Sequence, residues 1–489
     1  MRSWHRWLGL AWWSALAFWS LIILASLVIQ MVPSREPSFV TLSVGLTWII
    51  LLGLGLLWVH SGPRFKAWLG FDGLVLIAWL NWRALPLIAM LCGAYTVIKR
   101  RAYAPGSVEI GRRWGIWPIT LSIRDRFLHL HVLGPTGSGK SSSMLLPMMV
   151  QDLASGHPVA LIEPKGDLSQ AAHQHALKHA HRVVYFDPED PRCPHYNPLA
   201  GAPATAAEGI SWALNQIAAS GHPFYAVSSR VLLMYAVIAV KEALADRADL
   251  DAVLRFLRRD GERDAILAAV SDPRVTQYFS DQVKKLNPRQ ALEQRQGLLN
   301  RLELLLLHPD IRRVLSPPYD FDWDQALAQR MSVFCPLSLA RLGDSARILG
   351  TLLWHGLAMA TYRRPLSSDL TPYFLYLDEF HEYVTPDLSE FLALARGYHV
   401  GLVLAHQDLG QLSHELREAI MANGRQKVVL GGAAPADFEI FKDAALPYPI
   451  DPQLRFFGPG HAWVQLVKDG KPRPPHPVTL RHQPLGVSQ

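Results

Sequence analysis

The loop at residues 134–141 has the residue types and spacing of a phosphate-binding site. It reads GPTGSGKS and fits the pattern G-x-x-x-x-G-K-[ST] at every fixed position. A strand-like apolar run, 127–133, precedes it, and the residues from Met144 onward begin a helix-like pattern. Glycines let backbone N–H groups approach phosphate oxygens, and a helix N-terminus adds partial positive charge. The sequence therefore predicts a nucleotide-binding loop, and an ordinary glycine turn is disfavoured because both flanks match.

Two side chains of this loop have specific expected roles. Lys140 is expected to reach the β- and γ-phosphates, and the Ser141 hydroxyl to bind Mg²⁺. The predicted ligands are therefore ATP and Mg²⁺. The residues expected to contact the nucleotide are Gly134, Pro135, Thr136, Gly137, Ser138, Gly139, Lys140, Ser141 and Ser142.

Polar side chains follow two other apolar runs. The run 372–377 ends in Asp378 and Glu379, and the run 400–405 is followed shortly by Gln407. Opposite a phosphate-binding loop, Asp378 is expected to hold Mg²⁺ and Glu379 to act as the general base that polarises the attacking water. Gln407 can sense the γ-phosphate or orient the water. The sequence thus predicts Lys140, Glu379 and Gln407 as catalytic residues.

An arginine from a neighbouring subunit often assists phosphoryl transfer. Arg396 and Arg425 are the candidates near the relevant runs. A surface position on a helix is an equally good interpretation of each.

The elements that must position these residues alternate between strands and helices. Such alternation is typical of βαβ units, a mostly parallel sheet and ligands at the carboxyl ends of the strands. Between 205 and 315 only helical periodicity occurs, which predicts an all-α insertion. The predicted strands are 127–133, 157–162, 182–186, 332–335, 372–377, 400–405 and 428–430.

The first hundred residues predict a membrane region. Two runs without charge, 11–30 and 39–59, are each long enough to cross a hydrocarbon core of roughly 30 Å. A cleaved signal peptide is disfavoured because the first run is long and a second follows at once. Two spans place most flanking Lys and Arg on the cytoplasmic side. The interrupted apolar segment 73–98 is then expected to lie at the interface or against the spans.

Composition limits the remaining possibilities. The chain has 489 residues, a formal net charge of +7 and three cysteines. That length predicts two or three units, and the positive charge is compatible with nucleic acid or lipid headgroups. The cysteines, Cys92, Cys193 and Cys335, are too far apart to suggest a disulfide framework or a zinc site.

These observations predict five regions along the chain. A transmembrane region covers 1–98 and a juxtamembrane linker, ending in a short β-rich lead-in, covers 99–126. The nucleotide-binding domain is formed by 127–202 and 316–468, the all-α domain by 203–315, and a flexible, proline-rich tail by 469–489.

Several motifs together resemble type IV secretion coupling proteins of the TraG/TraD type. The resemblance covers about 130–432 and is interrupted only by the helical segment, where such proteins also have an all-α domain. The matching pieces are the paired N-terminal spans, HVLGPTGSGKS, a strand ending in EPKGD, YNPL, SLARLGDSARILGTLL, LYLDEF, GLVLAHQDLGQL and NGRQKVVLG.

This resemblance implies a RecA-like P-loop ATPase anchored in the bacterial inner membrane, with its ATPase domain in the cytoplasm, that works as a homo-hexamer. Such a protein delivers a relaxase-bound single DNA strand, or effector proteins, to the secretion channel. The resemblance also implies that Lys140, Ser141, Asp378, Glu379 and Gln407 have the roles argued above. Two departures stand out: Glu163 replaces the usual aspartate, and the C-terminus lacks a long acidic tail.

Other functions fit parts of the pattern. A receptor for protein effectors could use ATP only to set its conformation. A DNA translocase of the FtsK or HerA type shares the sheet but does not predict the helical insertion. An ABC transporter is disfavoured because no LSGGQ-like signature occurs between Gly134 and Asp378.

Overall fold

The computed structural model describes residues 105–215, 223–283, 288–367, 370–384, 387–452 and 456–485. The predicted transmembrane runs 11–30 and 39–59 and the apolar segment 73–98 lie outside these residues. Within the described ranges, no helix is both long and apolar enough to cross a membrane.

Among the described residues, eleven strands form one sheet, and two short strands form a separate hairpin. Numbered along the chain, the strands are β1 (Val108–Arg113), β2 (Trp117–Leu121), β3 (Leu130–Leu133), β4 (Val159–Glu163), β5 (Val183–Tyr185), β6 (Ser332–Pro336), β7 (Tyr373–Asp378), β8 (Val400–His406), β9 (Gln426–Leu430), β10 (His461–Gln465), β11 (Val467–Lys468), β12 (Lys471–Pro472) and β13 (His476–Thr479). The hairpin consists of β11 and β12.

Helices connect and cover these strands. They are α1 (Ile123–Arg126), α2 (Leu146–Ala154), α3 (Asp167–Lys178), α4 (Pro203–Asn215), α5 (Pro223–Leu244), α6 (Leu250–Arg258), α7 (Asp260–Leu267), α8 (Pro273–Gln277), α9 (Pro288–Leu307), α10 (Pro309–Val314), α11 (Trp323–Ala328), α12 (Leu339–Leu342), α13 (Asp344–Tyr362), α14 (Leu388–Leu394), α15 (His414–Asn423) and α16 (Pro435–Ala444).

The strand order in the large sheet is β2-β1-β13-β10-β9-β3-β8-β7-β4-β6-β5. The seven strands from β9 to β5 are all parallel to one another, whereas β10, β13, β1 and β2 pair antiparallel to their neighbours. The predicted α/β fold with a mostly parallel sheet is therefore confirmed. In such a sheet the carboxyl ends of β3, β7 and β8 meet at one edge.

The central strands are buried on both faces, which explains their continuous apolar runs. Successive residues of β7 alternate between two hydrophobic clusters: Leu375 and Leu377 belong to one, and Phe374 and Tyr376 to the other. Because side chains of a strand point alternately to opposite faces, the two clusters are the two cores of the sheet.

The part between β5 and β6 is helical. It contains α4 to α10, and no strand occurs among its described residues. Its apolar side chains join the core cluster that contains Leu375 and Leu377, so this helical segment packs against one face of the sheet.

Two peripheral segments also contribute strands to the large sheet. The supposed linker 99–126 contributes β1 and β2 to the large sheet, and the supposed flexible tail 469–489 contributes β13. The prediction of a loose tail is wrong at β13. Although this part of the chain is rich in proline, Val478 of β13 and the adjacent Leu480 are buried, only 2% and 6% exposed. The expected β-rich lead-in at the end of 99–126 corresponds to β1 and β2, where Val108 and Leu121 are buried.

Candidate active site

The loop 134–141 follows the carboxyl end of β3 and leads into a π-helical turn, Lys140–Leu145, that continues as α2. A Cβ atom on Gly134 would lie 2.7 Å from Ser138 Oγ and 2.9 Å from Leu430 Cβ, so a larger residue does not fit there. Gly139 has a φ of +91°, a left-handed conformation that favours glycine. The loop therefore needs glycine at both positions.

Lys140 is buried at the base of this loop. Its Nζ donates a hydrogen bond to the Gly134 carbonyl at 2.8 Å and lies 3.1 Å from Glu379 Oε1. The lysine thus closes the loop on itself and connects it to the end of β7. An ammonium group in this position is available to phosphate oxygens placed in the loop.

The carboxylates predicted from the sequence lie against the loop. Asp378 is the last residue of β7, and its Oδ2 accepts a hydrogen bond from Ser141 Oγ at 3.3 Å. Glu379 follows with a φ of +47°, and a non-glycine residue in this region costs on the order of 1–3 kcal/mol. This strained backbone directs adjacent carboxylates to Ser141 and to Lys140.

Gln407 connects the end of β8 to the same cluster. Its Nε2 donates to Glu379 Oε1 at 3.1 Å, and its Oε1 accepts from Thr136 Oγ1 at 2.9 Å. The structure therefore brings together five residues that the sequence singled out, and their roles in catalysis remain predictions. They are Lys140, Ser141, Asp378, Glu379 and Gln407.

The cluster contains unused acceptors. Asp378 and Glu379 are only 3% and 5% exposed. Among the described residues, Asp378 Oδ1 and Glu379 Oε2 have no hydrogen-bond partner. Buried carboxylate oxygens without partners are costly. Such hard oxygen donors beside a serine hydroxyl fit a Mg²⁺ ion.

Burial also raises the pKa of two carboxyl groups at this edge of the sheet. Desolvation, reinforced by the adjacent charge of Glu379, raises the pKa of Asp378 to about 6. Desolvation raises the pKa of Glu163, at the end of the neighbouring β4, to about 7. Glu163 accepts a hydrogen bond from the Ser169 N–H, whereas its Oε2 has no partner within the described part of the chain. Two acids with raised pKa values thus lie near the end of β7.

The two candidate arginines lie elsewhere. Arg396 and Arg425 stand just before β8 and β9, at the amino ends of these strands. The loop 134–141 lies at the carboxyl ends, the opposite edge of the sheet. Arg425 donates to the Gly470 carbonyl at 3.1 Å, and Arg396 is exposed. Neither arginine therefore belongs to the cluster formed within this chain.

Sequence reasoning missed a buried histidine pair that connects β3 to β8. His131 Nε2 and His406 Nε2 are 2.6 Å apart, and both rings are fully buried. Because His406 Nδ1 lies 2.8 Å from the Asp408 carbonyl, that nitrogen carries a proton and its Nε2 accepts from His131. The pair joins the strand before the loop to the strand before Gln407. Two lone histidines 275 positions apart give no sequence signal for such a contact.

Tyr383 is a second supporting residue without a sequence signal. Its hydroxyl lies 2.7 Å from the Ile162 carbonyl and 3.0 Å from the Asp378 carbonyl. The ring is buried, so this hydroxyl holds together the ends of β4 and β7. It fixes the backbone that carries Asp378.

The whole arrangement is suited to one kind of chemistry. The loop supplies backbone N–H groups and an ammonium for phosphates, and the end of β7 supplies an acceptor for a proton. Glu379 Oε2 has no hydrogen-bond partner among the described residues, with His381 Nδ1 3.8 Å away, and it can accept the proton of a water molecule that attacks a phosphorus atom. The geometry fits hydrolysis of a nucleoside triphosphate.

Comparisons with known proteins agree with this geometry. The family model described as "Type IV secretory system Conjugative DNA transfer" matches residues 94–427, which are 334 of the 489 residues. No curated protein matches the chain.

Solved structures show the same fold. The bacterial conjugative coupling protein TrwBdeltaN70, in its unbound monoclinic form, matches with a TM-score of 0.59 and 16% identity over 81% of this chain and 93% of that one. TrwB in complex with ADP and Mg²⁺ matches with a TM-score of 0.59 and 17% identity over 81% and 94%. VirB4 of Thermoanaerobacter pseudethanolicus matches with a TM-score of 0.54 and 13% identity over 78% and 98%.

Proposed function

The chain belongs to the conjugative DNA transfer family of type IV secretory systems, and from this membership we propose that it is a membrane-anchored, RecA-like ATPase that couples a DNA–protein substrate to the secretion channel. Its substrate is a single DNA strand bound to a relaxase, and ATP hydrolysis drives the transfer.

One observation carries the enzymatic part of this proposal. Lys140, Glu379 and the half-buried Gln407 form a continuous contact, in which Glu379 Oε1 lies 3.1 Å from both Lys140 Nζ and Gln407 Nε2. Phosphoryl transfer needs a lysine that binds the phosphates, a base that takes the proton of the attacking water, and a group that orients this water, here an amide. No purely structural ion pair needs all three at the end of a glycine loop.

The proposed cofactor assignment is ATP with Mg²⁺. The loop 134–141 and Ser142 would hold the phosphates, and Ser141 and Asp378 would hold the metal ion. A bound Mg²⁺ supplies positive charge that stabilises the transferring phosphoryl group. The TrwB structures named for ADP with Mg²⁺ and for a non-hydrolysable ATP analogue have the same fold and support this assignment.

We also propose that the protein lies in the bacterial inner membrane through the runs 11–30 and 39–59, with the described fold in the cytoplasm. A homo-hexamer is the proposed working form. The proposed partners are the DNA–relaxase complex and components of the secretion channel.

The test is ATP hydrolysis by the full chain in detergent, measured with single-stranded DNA, duplex DNA and no DNA. The proposal predicts that DNA stimulates turnover by the wild type and that Lys140→Ala abolishes turnover under all three conditions. A rate that is indifferent to DNA would contradict a DNA motor.

A transfer assay between cells separates the motor from a receptor for protein effectors. The motor requires that Lys140→Ala abolish DNA transfer. Equal transfer by the wild type and the variant would instead favour the receptor.

A further inference from the structure

The segment 480–485, which follows β13, is attached to the beginning of the P-loop helix. The Gln483 N–H donates to the Ser142 carbonyl at 2.8 Å, and His482 Nδ1 lies 3.4 Å from Ser143 Oγ. The Gln483 side-chain amide lies 3.0 Å from His175 Nε2 on α3. Leu480 is buried, and its N–H donates to the Gly460 carbonyl at 2.8 Å. The segment is therefore held at both of its ends.

The contact falls at the end of the stretch assigned to the phosphates, at Ser142 and Ser143. Lys140 and Ser141 are the residues for the β- and γ-phosphates and for Mg²⁺. Ser142 and Ser143 are the next two residues of the same helical turn. The segment thus lies beside the part of the loop that follows the metal-binding serine.

Strand order gives the direction in which the nucleotide leaves the loop. The catalytic residues Asp378 and Gln407 lie at the ends of β7 and β8, on one side of β3. The γ-phosphate must face these residues, so the α-phosphate and the nucleoside extend toward the other side of β3. On that side the order is β9, β10, β13, and the segment 480–485 follows from β13. From β13 the segment crosses beside Ser142 and Ser143 to His175 of α3, so it borders the loop on the side toward which the nucleoside extends.

The side chains of the segment 480–485 suit the α-phosphate and the ribose of a nucleotide. Arg481 and His482 are exposed, although His482 also contacts Ser143. A guanidinium is a good partner for an α-phosphate oxygen, and imidazole and amide groups pair with ribose hydroxyls.

We propose that Arg481, His482 and Gln483 form the nucleoside end of the ATP site, where they contact the α-phosphate and the ribose. This inference rests on the proposed function, because it assigns a further part of the same site. It gives the C-terminal segment a binding role in place of the expected loose tail.

The test compares a ligand that has a nucleoside with one that has none. Binding of ATP and of inorganic tripolyphosphate, each with Mg²⁺, is measured by calorimetry on the full chain in detergent. The variant replaces two exposed side chains, Arg481→Ala with His482→Ala. Lys471→Ala is the matched control, because Lys471 is an exposed cation on the β11–β12 hairpin of the same C-terminal region.

We expect the double variant to bind ATP roughly tenfold more weakly, the ratio that about 1.4 kcal/mol of lost contact gives, and tripolyphosphate as the wild type does. The control should bind both ligands normally. Equal weakening for both ligands would overturn the inference, because the segment would then only support the phosphate loop. Unchanged ATP affinity would also overturn it.

Failure of the proposed function gives a different result. A wild-type chain that binds neither ATP nor tripolyphosphate would contradict the phosphate site itself. Thermal unfolding of each variant confirms that the compared chains are folded.

Discussion

Two buried charged clusters both involve β7 and the helix that follows the phosphate-binding loop. They differ in whether their carboxylate oxygens have hydrogen-bond partners. The first is the site cluster, which consists of Lys140, Ser141, Asp378, Glu379 and Gln407. Lys140 begins the turn that leads into α2, and Asp378 ends β7. The second is the arginine cluster: Arg126 of α1, Asp152 near the end of α2 and Tyr376 of β7. Each places a cation beside a carboxylate away from water.

In the arginine cluster both carboxylate oxygens have hydrogen-bond partners. Arg126 makes a two-pronged contact with both oxygens of Asp152, and the Tyr376 hydroxyl donates to Asp152 Oδ2 at 2.6 Å. The ring of Phe374 lies 3.3 Å from the guanidinium carbon. Every oxygen of this carboxylate has a partner, so nothing is left to bind a ligand.

The site cluster is unsaturated. Asp378 Oδ1 and Glu379 Oε2 lack hydrogen-bond partners among the described residues. Glu379 also holds a left-handed backbone conformation. A buried ion pair is stable only when its remaining groups are satisfied. The difference between the clusters shows which one is built to hold the fold and which one is built to receive a ligand.

The largest expected effect is on catalysis by the site cluster. Glu379→Gln keeps the size of the side chain but removes the base, so ATP turnover should fall by about 10²–10⁴-fold, the usual contribution of general acid–base catalysis. ATP affinity should remain close to that of the wild type. Glu382→Gln is the control, because Glu382 is a nearby carboxylate that pairs with Arg347 instead. Turnover that survives in Glu379→Gln would remove Glu379 as the base.

The next effect is on the stability of the arginine cluster. Asp152→Asn leaves a buried guanidinium without its counter-charge, which typically costs about 3–5 kcal/mol in the free energy of unfolding. Urea unfolding of the full chain measures the loss. Glu439→Gln, which breaks the exposed Lys442–Glu439 pair, should leave the unfolding midpoint unchanged. If Asp152→Asn lowers ATP turnover of the folded protein without lowering its stability, the division between the two clusters is wrong.

A smaller effect concerns pH. Burial raises the pKa of Glu163 from 4.5 to about 7, so the folded protein binds a proton there that the unfolded chain releases. Stability from this group is complete below pH 4.5 and is lost as the pH rises to about 7. Glu163→Gln stays neutral, so it should be more stable than the wild type at pH 8, on the order of 3 kcal/mol, and no more stable at pH 4.5. Urea unfolding at the two pH values measures this difference, and an equal difference at both would exclude ionisation of Glu163 as its cause.

Local sequence patterns predicted which residues lie close together, because each candidate stands at the end of a short contiguous run. The glycine loop and the Asp378–Glu379 pair each follow an apolar strand, and a parallel sheet brings such ends together. The alternation of strands and helices predicted that sheet.

Contacts between distant parts of the chain had no such signal. The His131–His406 pair joins residues 275 positions apart. The sequence did not predict β13 because its surroundings are rich in proline, which disfavours strands. A few buried side chains, such as Val478, nevertheless place it in the sheet. The position of Arg396 and Arg425 relative to a neighbouring subunit also has no local signal, so their proposed action in trans stays a prediction.

The most direct test of the central claim, that the unsaturated cluster is the nucleotide site, is calorimetric binding of ATP with Mg²⁺ to the full chain. The wild type should bind one ATP per chain. Affinity should weaken at least about tenfold in Lys140→Ala, a loss of about 1.4 kcal/mol or more. Lys178→Ala, which changes an exposed lysine of α3, should bind as the wild type does. Wild-type affinity in a folded Lys140→Ala variant would contradict the account.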